Sequence, residues 1–431
     1  MGSSRRATVS WCMFDFANSS YTTLIITTAF AVYFRNAVVH AADNRGDHLY
    51  GLANSLAMLV VALSSPVMGA VADYSGRKKL FLILTSLVTI ATAALLYFVG
   101  PGDIGAAMAL YIVGLVGFEM GYVFYNSFLP EVSTPETVGR VSGWGWGIGY
   151  AGGLLCMVLC SPWIRQPLQD AGGNLLPAGI AAYQTSFVLV AAFYLVFALP
   201  AFLWLRESPP QGRVPGWTAY PAVGFRRVRE TLTHLRHYRE TAKFILASLF
   251  FNDGITTVIA FASIYATTTM GFSNPEMVWL ILVLNLVALP GSLAAGYLAD
   301  AAGPKRTIVL TLLLWIAVVV LGYLAASKPV FWIMAAGAAL ALGATQAVGR
   351  SFMSQITPAS RQSEFFGFYA LSGKFGSMFG PFLFGSISQA TGNQRLAVLS
   401  LLPFFLAGLV LMLSINEPRA RAAAAEAKET A

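Results

Sequence analysis

The sequence predicts an all-helical membrane protein with about twelve membrane crossings, arranged as two related six-helix halves. Of its 431 residues, 57% are hydrophobic and 11% are charged, whereas soluble domains contain about 25% charged residues. The apolar segments recur at lengths of about 20 residues, which a helix needs to cross a bilayer. A motif near residue 73 also recurs near residue 300. These observations predict a duplicated bundle that folds in lipid.

The apolar segments form two groups of six, separated by a polar linker. The first group lies near residues 12–38, 49–72, 79–99, 104–129, 140–162 and 184–205, and the second near 243–270, 276–299, 306–326, 329–352, 364–389 and 395–416. The chain is therefore expected to contain an N-terminal bundle (1–205), a basic linker (206–242), a C-terminal bundle (243–417) and a flexible cytoplasmic tail (418–431).

Basic residues are concentrated in the loops on one side of the predicted bundle. If the N-terminus is cytoplasmic, the opposite loops contain only Arg35, Arg45, Arg165, Lys328 and Arg395. Because Lys and Arg in short loops resist translocation, both termini are predicted to be cytoplasmic. The same distribution accounts for the net charge of +8, from 27 basic and 19 acidic residues. No nucleic-acid partner is therefore expected.

The linker carries an amphipathic pattern. Its apolar stripe, which lies among several arginines, consists of Phe225, Val228, Leu232 and Leu235. This pattern predicts either a basic helix in the interface of the inner leaflet or a solvated helix that only tethers the two halves.

Two motifs recur at nearly the same offset. Helix two ends with Gly69, Asp73, Gly76 and Arg77, and helix eight ends with Gly296, Asp300 and Gly303, at an offset of 227 residues (300 − 73). Asn18 in helix one corresponds to Asn252 in helix seven, at an offset of 234 (252 − 18). Matching offsets indicate two duplicated halves.

The glycine–aspartate–glycine–basic loops resemble the signature cytoplasmic loop of the major facilitator superfamily. At a helix end, Asp73 can accept hydrogen bonds from backbone donors and pair with a basic residue. A contact of this kind would hold one side of a transporter closed, so Asp73 and Arg77 are predicted to take part in gating. The alternative is that the basic residues only fix the topology.

Four charged residues fall deep within predicted helices. A charged side chain near the bilayer centre costs roughly 2.5–3.5 kcal/mol on insertion scales, so each needs a partner or a water-filled cavity. They are Asp15, Glu119, Asp253 and Lys374. Glu119 is the first candidate for a proton carrier, because an acid in an apolar cavity can load and release protons near neutral pH. Lys374 can pair with Asp253 or Glu119, or hold a substrate carboxylate.

Polar residues accompany these charges on the same helices, and a cavity between the halves is expected to contain them. They are Asn18, Tyr21, Tyr122, Asn126, Asn252, Thr256 and Gln346. Arg350 ends helix ten one turn after Gln346, where its planar fork can bind a carboxylate or anchor the following loop. Its position near the cytoplasmic end favours a structural or gating role.

Other chemistry has little support in the sequence. The glycines of residues 143–153 indicate close helix contacts rather than a phosphate-binding loop. Cys12, Cys156 and Cys160 lie in apolar segments and are predicted to be packing residues. The sequence shows no nucleotide-binding motif, metal-ligand cluster or nucleophile beside a base. No enzymatic activity, cofactor or metal is therefore expected.

Several segments together resemble one branch of the superfamily, the vacuole-effluxer family. They are residues 15–21, 119–131, 252–256, 345–351 and 364–369, with Lys374, Gly380 and Pro381. The resemblance implies export of neutral amino acids. Short periplasmic loops favour a bacterial cytoplasmic membrane over a eukaryotic vacuole.

The expected function is secondary active export of small solutes, amino acids first among them, by alternating access. Protons are expected to be coupled through Glu119 or Asp253, and the protein is expected to act as a monomer in the bilayer. An exporter of a sugar, peptide or drug is one alternative, because Trp144, Trp146 and many Phe residues can line an apolar pocket. A receptor or scaffold that does not transport is another, although paired charges at matched depth argue against it.

Overall fold

The computed structural model describes residues 4–39, 45–164, 169–170, 172–207, 217–234, 236–375 and 379–429, and most of them are helical. The first half contains α1 (Arg5–Ser20), α2 (Ala29–Tyr33), α3 (Arg45–Ser75), α4 (Lys78–Leu95), α5 (Ile104–Ser127), α6 (Leu129–Val132), α7 (Val138–Ile164) and α8 (Pro177–Trp204). The linker contains α9 (Tyr220–Thr233). The second half contains α10 (Arg239–Ile264), α11 (Asn274–Ala302), α12 (Pro304–Leu324), α13 (Lys328–Gln355), α14 (Gln362–Phe375), α15 (Phe379–Thr391), α16 (Gln394–Leu399) and α17 (Leu402–Ser414), followed by α18 (Glu417–Glu429).

Ten helices in the described part of the chain are long and apolar enough to cross a membrane. They coincide with ten of the twelve predicted crossings. The predicted first crossing is interrupted, because α1 and α2 are joined and followed by π-helical turns at Tyr21–Thr28 and Phe34–Val38. The predicted eleventh crossing is divided between α14 and α15. The helical architecture therefore agrees with the prediction, with irregular backbone in these two crossings.

Each half has its own apolar core. The core of the first half includes Trp11, Phe14 and Tyr125, and the Trp11 and Tyr125 rings stack with centroids 4.5 Å apart. In the second half, Trp315 stacks on Phe405 at 5.4 Å. Stacked aromatic pairs bury large areas and fix the orientation of neighbouring helices. This division agrees with the repeat found in the sequence.

The two halves meet through glycines at the end of the bundle that carries the signature loops. We call this the inner end, because the distribution of basic residues predicts that it faces the cytoplasm. A Cβ atom on Gly143 of α7 would lie 2.6 Å from the carbonyl oxygen of Ser292 in α11. A Cβ on Gly69 of α3 would overlap the Ser363 carbonyl of α14. Glycine therefore allows both helix pairs to approach closely.

The linker helix α9 packs against the inner end with a different face from the predicted stripe. Val223, Gly224 and Thr231 are buried against the protein, whereas Phe225 and Leu232 are exposed. Leu235 lies outside the described residues. Val228, the remaining described residue of the predicted stripe, is half-buried. The stripe is thus only partly exposed, and its contact with the leaflet stays a prediction.

The predicted flexible tail is helical over α18. Its first turn is fixed by the Asn416 side chain, which accepts a hydrogen bond from the Arg419 backbone N–H (3.1 Å). The Asn416 backbone N–H in turn donates to Glu240 at the start of α10 (2.8 Å). The cysteines Cys12, Cys156 and Cys160 are buried and form no disulfide, as packing residues would be.

Candidate functional site

A cavity of about 380 Å³ lies between the two halves. Its volume is within the range of small-molecule sites, roughly 300–1,000 Å³. Nine of the eleven residues predicted for the substrate or proton pathway line it: Asp15, Asn18, Glu119, Tyr122, Asn126, Asn252, Thr256, Gln346 and Lys374. The polar face of each crossing therefore points into one shared space, although these residues are spread over more than 350 positions of the sequence.

Two predicted residues lie outside the cavity lining. Tyr21 is buried and stacks on Phe118 with ring centroids 5.1 Å apart. Asp253 is buried inside the second half, where its Oδ1 accepts a hydrogen bond from the Gly380 backbone N–H at the start of α15 (2.9 Å). The other carboxylate oxygen, Oδ2, is buried and has no hydrogen-bond partner among the described residues.

Several cavity residues come from crossings that the sequence reasoning did not assign to it. Trp146 and Tyr150 of α7 contribute aromatic surface, and Asn285 of α11 adds a polar group. The glycines of residues 143–153 in α7 predict close helix contacts, and Trp146 is predicted to line a pocket only if the substrate is a sugar, peptide or drug. The signal was present, since Trp146 and Tyr150 are four residues apart and share one helix face. Trp144 instead donates a hydrogen bond to the hydroxyl of Tyr297 on α11 (3.3 Å).

Arg350 connects three helices of the first half to α13. It lies one turn beyond Gln346 toward the inner end and is buried. Its Nη1 donates to Asp15 Oδ2 at 3.1 Å and to Asn126 Oδ1 at 3.2 Å. Its Nη2 and Nε donate to the carbonyl and hydroxyl oxygens of Ser142, at 2.7 and 2.9 Å. The carboxylate that this arginine binds is therefore one of the protein's own.

Aromatic rings enclose the Arg350 guanidinium on its remaining sides. The guanidinium carbon lies 4.6 Å from the ring centroid of Trp11, 5.5 Å from Tyr125 and 5.6 Å from Trp146. A Cβ on Gly145 would lie 2.7 Å from both Trp11 and Arg350. Hydrogen bonds and cation–π contacts together compensate the cost of burying this charge.

Glu119 and Lys374 form a second ion pair between the halves. The Lys374 ammonium, on α14, lies 2.5 Å from Glu119 Oε1, on α5. The sequence allows Lys374 to pair with Asp253, to pair with Glu119 or to hold a substrate carboxylate, and the structure shows the pair with Glu119. Both side chains line the cavity and keep part of their surface exposed, 25% for Lys374 and 13% for Glu119.

The two signature aspartates each bind the N-terminus of a helix in the opposite half. Asp73 accepts hydrogen bonds from the backbone N–H groups of Ser363 (3.1 Å) and Glu364 (2.9 Å), at the start of α14. Its basic partner is Lys78, at 3.4 Å. Carboxylates at helix N-termini satisfy free backbone donors and complement the helix dipole.

Asp300 makes the equivalent contact in the reverse direction. It accepts hydrogen bonds from the backbone N–H groups of Gly139 (2.7 Å) and Arg140 (3.1 Å), at the start of α7, and its carboxylate also pairs with the Arg140 side chain (3.1 Å). Gly76 and Gly303 follow the two aspartates with φ angles of 62° and 94°, which favour glycine. The repeat thus builds two related contacts.

These contacts close the inner end. We use the name inner closure for the contacts of Asp73, Asp300 and Arg350 with the opposite half. Between described residues, no hydrogen bond or ion pair joins the halves on the outer side of Lys374. The inner closure therefore closes the cavity at the inner end.

The overall architecture is that of major facilitator transporters. The human organic anion transporter MFSD10 (TETRAN) superposes with a TM-score of 0.72 over 95% of this chain and 99% of its own, at 15% identity. The transporter FucP, solved in the outward conformation, gives a TM-score of 0.72 at 13% identity, over 96% of this chain and all of its own. The all-helical membrane fold predicted from the sequence is confirmed.

Residues 47–425 match the family model described as "Vacuole effluxer Atg22 like", and the chain belongs to this family. It is 29% identical to the uncharacterized MFS-type transporter YxiO of Bacillus subtilis (strain 168), over 95% of this chain and 94% of that protein. It is 28% identical to autophagy-related protein 22-1 of Aspergillus niger, over 65% of this chain and 48% of that protein. The predicted resemblance is confirmed, and the family is one of transporters rather than enzymes.

Proposed function

We propose that this protein is a secondary active exporter of small solutes, foremost amino acids, in a bacterial cytoplasmic membrane. It works as a monomer by alternating access, with protons as the coupling ion. The observation that carries the proposal is the cavity of about 380 Å³ between two pseudo-equivalent halves, which is closed at one end and contains polar and charged groups in its lining. A cavity of this kind binds a solute from one side, and rocking of the halves exposes it to the other.

The inner closure acts as the gate of this cycle. Its three contacts connect the halves through side chains whose partners belong to the opposite half. Opening toward the cytoplasm has to break all three, while the cavity becomes sealed on the outer side. The closed inner end corresponds to an outward-facing state, in which an exporter releases its substrate.

Asp253 is the stronger of the two candidate proton carriers. A buried carboxylate oxygen without a partner is unfavourable when ionised, and a proton removes this cost. Glu119 is paired with Lys374 in this state, and it gains a proton-carrying role only when that pair separates. Protonation of Asp253 would also weaken the hydrogen bond that its carboxylate accepts from the Gly380 backbone N–H, and would so affect the start of α15.

The experiment is to measure proton movement driven by amino acids in proteoliposomes loaded with a pH-sensitive dye. We expect an amino-acid gradient to move protons with the native protein and less with Asp253→Asn. Glu276→Gln serves as a matched control, because this acid is exposed at the outer end in a pair with Lys328. Unchanged coupling in both Asp253→Asn and Glu119→Gln would reject proton coupling through these acids.

The aromatic part of the cavity supports a second candidate. Trp146, Tyr150 and Phe118 form an apolar wall that suits an amphipathic drug or a peptide. Ligand-induced thermal stabilisation across a panel of amino acids, sugars, peptides and drugs separates these substrate classes. A protein that binds a solute without moving it in liposomes would instead be a receptor on the same fold.

A further inference from the structure

The Glu119–Lys374 pair has an unusual position for a structural ion pair. It joins α5 of the first half to α14 of the second, and it lies on the wall of the cavity. A solute in the cavity therefore meets both charges at once. Because the two residues belong to different halves, any relative movement of the halves also changes the distance between them.

The cavity wall carries balanced charge in the described part of the chain. The charged residues that line it are Asp15, Glu119 and Lys374. Asp15 is already bound to Arg350 on the closed side, where both side chains are almost inaccessible. Glu119 and Lys374 are thus the charged groups that a solute can reach, and they present one charge of each sign.

We propose that Glu119 and Lys374 together bind the two charges of a zwitterionic solute, with its carboxylate on Lys374 and its ammonium on Glu119. The inference rests on the proposed transport of small solutes through this cavity. The bound zwitterion replaces the direct contact between the two residues with two charge-assisted contacts. An ammonium and a carboxylate on the same carbon atom, as in an α-amino acid, can each contact one member of the separated pair.

Solutes with a single charge bind less well at this site. An anion that takes Lys374 leaves Glu119 without its cation, and a cation that takes Glu119 leaves Lys374 without its anion. A bound solute also excludes water from the charge that remains, and an unpaired charge that water does not reach is unfavourable. The ion pair therefore selects for two opposite charges in one molecule, while the rest of the cavity accommodates the side chain.

Replacement of the direct ion pair by the zwitterion also connects solute binding to relative movement of the two halves. In the empty cavity the direct ion pair holds α5 and α14 together. A bridging zwitterion allows these helices to separate without leaving either charge unpaired, which favours the change of access only when substrate is bound. This is differential stabilisation of one state by a ligand.

The test compares leucine with leucine methyl ester, which lacks the carboxylate, and N-acetylleucine, which lacks the ammonium. Binding to purified protein is measured by calorimetry. We expect the native protein to bind leucine at least tenfold more tightly than either analogue. Lys374→Gln should lose the preference over the methyl ester, and Glu119→Gln should lose the preference over N-acetylleucine.

Two further variants make the result independent of folding defects. The charge-swapped variant with Glu119→Lys and Lys374→Glu keeps one charge of each sign and should regain the preference for leucine. Lys328→Gln removes the lysine of an exposed Lys–Glu pair away from the cavity and should leave the preference unchanged.

The outcomes separate the inference from the proposed function. If leucine is transported and preferred but both cavity variants keep the preference, the ion pair is not the recognition site and the transport function stands. Equal binding of all three ligands by the native protein has the same consequence. If the native protein neither binds nor moves leucine in liposomes, both the inference and amino-acid export are overturned.

Discussion

Two of the ion pairs that connect the halves differ in their surroundings. Asp15 and Arg350 are sealed below the cavity, with side-chain exposures of 4% and 3%, and amide, hydroxyl and aromatic groups complete their environment. Glu119 and Lys374 lie on the cavity wall with exposures of 13% and 25%. The Asp15–Arg350 pair, which we call the sealed pair, is a contact that a ligand in the cavity does not reach in this state. The Glu119–Lys374 pair is a contact that such a ligand can replace.

This difference shows that the surroundings of a charge, and not only its place in an apolar segment, determine what it can bind. Both pairs combine residues that look alike in the sequence, as single charges within apolar segments. What distinguishes them is the access of solvent, which is 3–4% of the side-chain surface for one pair and 13–25% for the other. A charge with a full set of partners gains little from a ligand, whereas a charge with an accessible side can bind one.

The largest expected effect is on the sealed pair. Arg350→Met leaves the Asp15 carboxylate buried without its cation, and breaking a buried pair costs about 3–5 kcal/mol. We expect a large decrease in thermal stability, measured by unfolding of the purified protein in detergent, together with loss of transport.

A double variant tests whether the unpaired charge is the cause. Asp15→Asn combined with Arg350→Gln removes both charges and should be clearly more stable than Arg350→Met alone. If the double variant is equally destabilised, the packing of the Arg350 side chain against Trp11 is more important than its charge.

The next largest effect concerns the close helix contact that surrounds the sealed region. Gly69→Ala places a Cβ against the Ser363 carbonyl, and overpacking of this kind costs about 1–3 kcal/mol. We expect lower thermal stability and a weaker inner closure. The control is Gly105→Ala, where a Cβ meets nothing within 4 Å. Equal unfolding temperatures for the two variants would mean that α3 and α14 can separate at little cost.

The sequence predicted the fold and most of the cavity because the relevant signals are local. Apolar segment length locates the crossings, and the repeated Asn18 and Asn252 identify equivalent positions in the two halves. The irregular backbone of the first crossing was not predicted. There, the hydroxyls of Thr27 and Thr28 bond to carbonyl oxygens five residues earlier, a geometry that depends on the folded backbone.

The partners of the buried charges were harder to predict. Counting residues at 1.5 Å per position gives depth, but each residue also rotates by about 100° around the helix axis. Asp253 and Thr256 illustrate the consequence, since Thr256 lines the cavity while Asp253 points to α15. For the same reason the sequence left Lys374 with two candidate partners, and only the packing of α14 beside α5 selects Glu119.

A smaller effect is expected from the signature aspartates, which support the sealed pair from the inner end. Asp73→Asn and Asp300→Asn each weaken contacts to helix N-termini worth about 1 kcal/mol. Asp73 is fully buried and Asp300 is 11% exposed, so Asp73→Asn should have the larger effect. Inside-out vesicles that carry Gln346→Cys should then show faster labelling by an impermeant maleimide. Unchanged labelling in both variants would mean that the aspartates do not hold the inner end closed.

The smallest effect on stability is expected for Lys374→Gln, although it removes an ion pair at the centre of the protein. Solvent-exposed pairs contribute about 0–1 kcal/mol, and we expect this pair to lie toward that range because both side chains face the cavity. The unfolding temperature of this variant should therefore lie close to that of Lys328→Gln, whose pair with Glu276 is exposed at the outer end. If Lys374→Gln is instead as destabilised as Arg350→Met, the Glu119–Lys374 and Asp15–Arg350 pairs are energetically equivalent. Glu119 and Lys374 would then form a second structural contact rather than a site that a ligand can open.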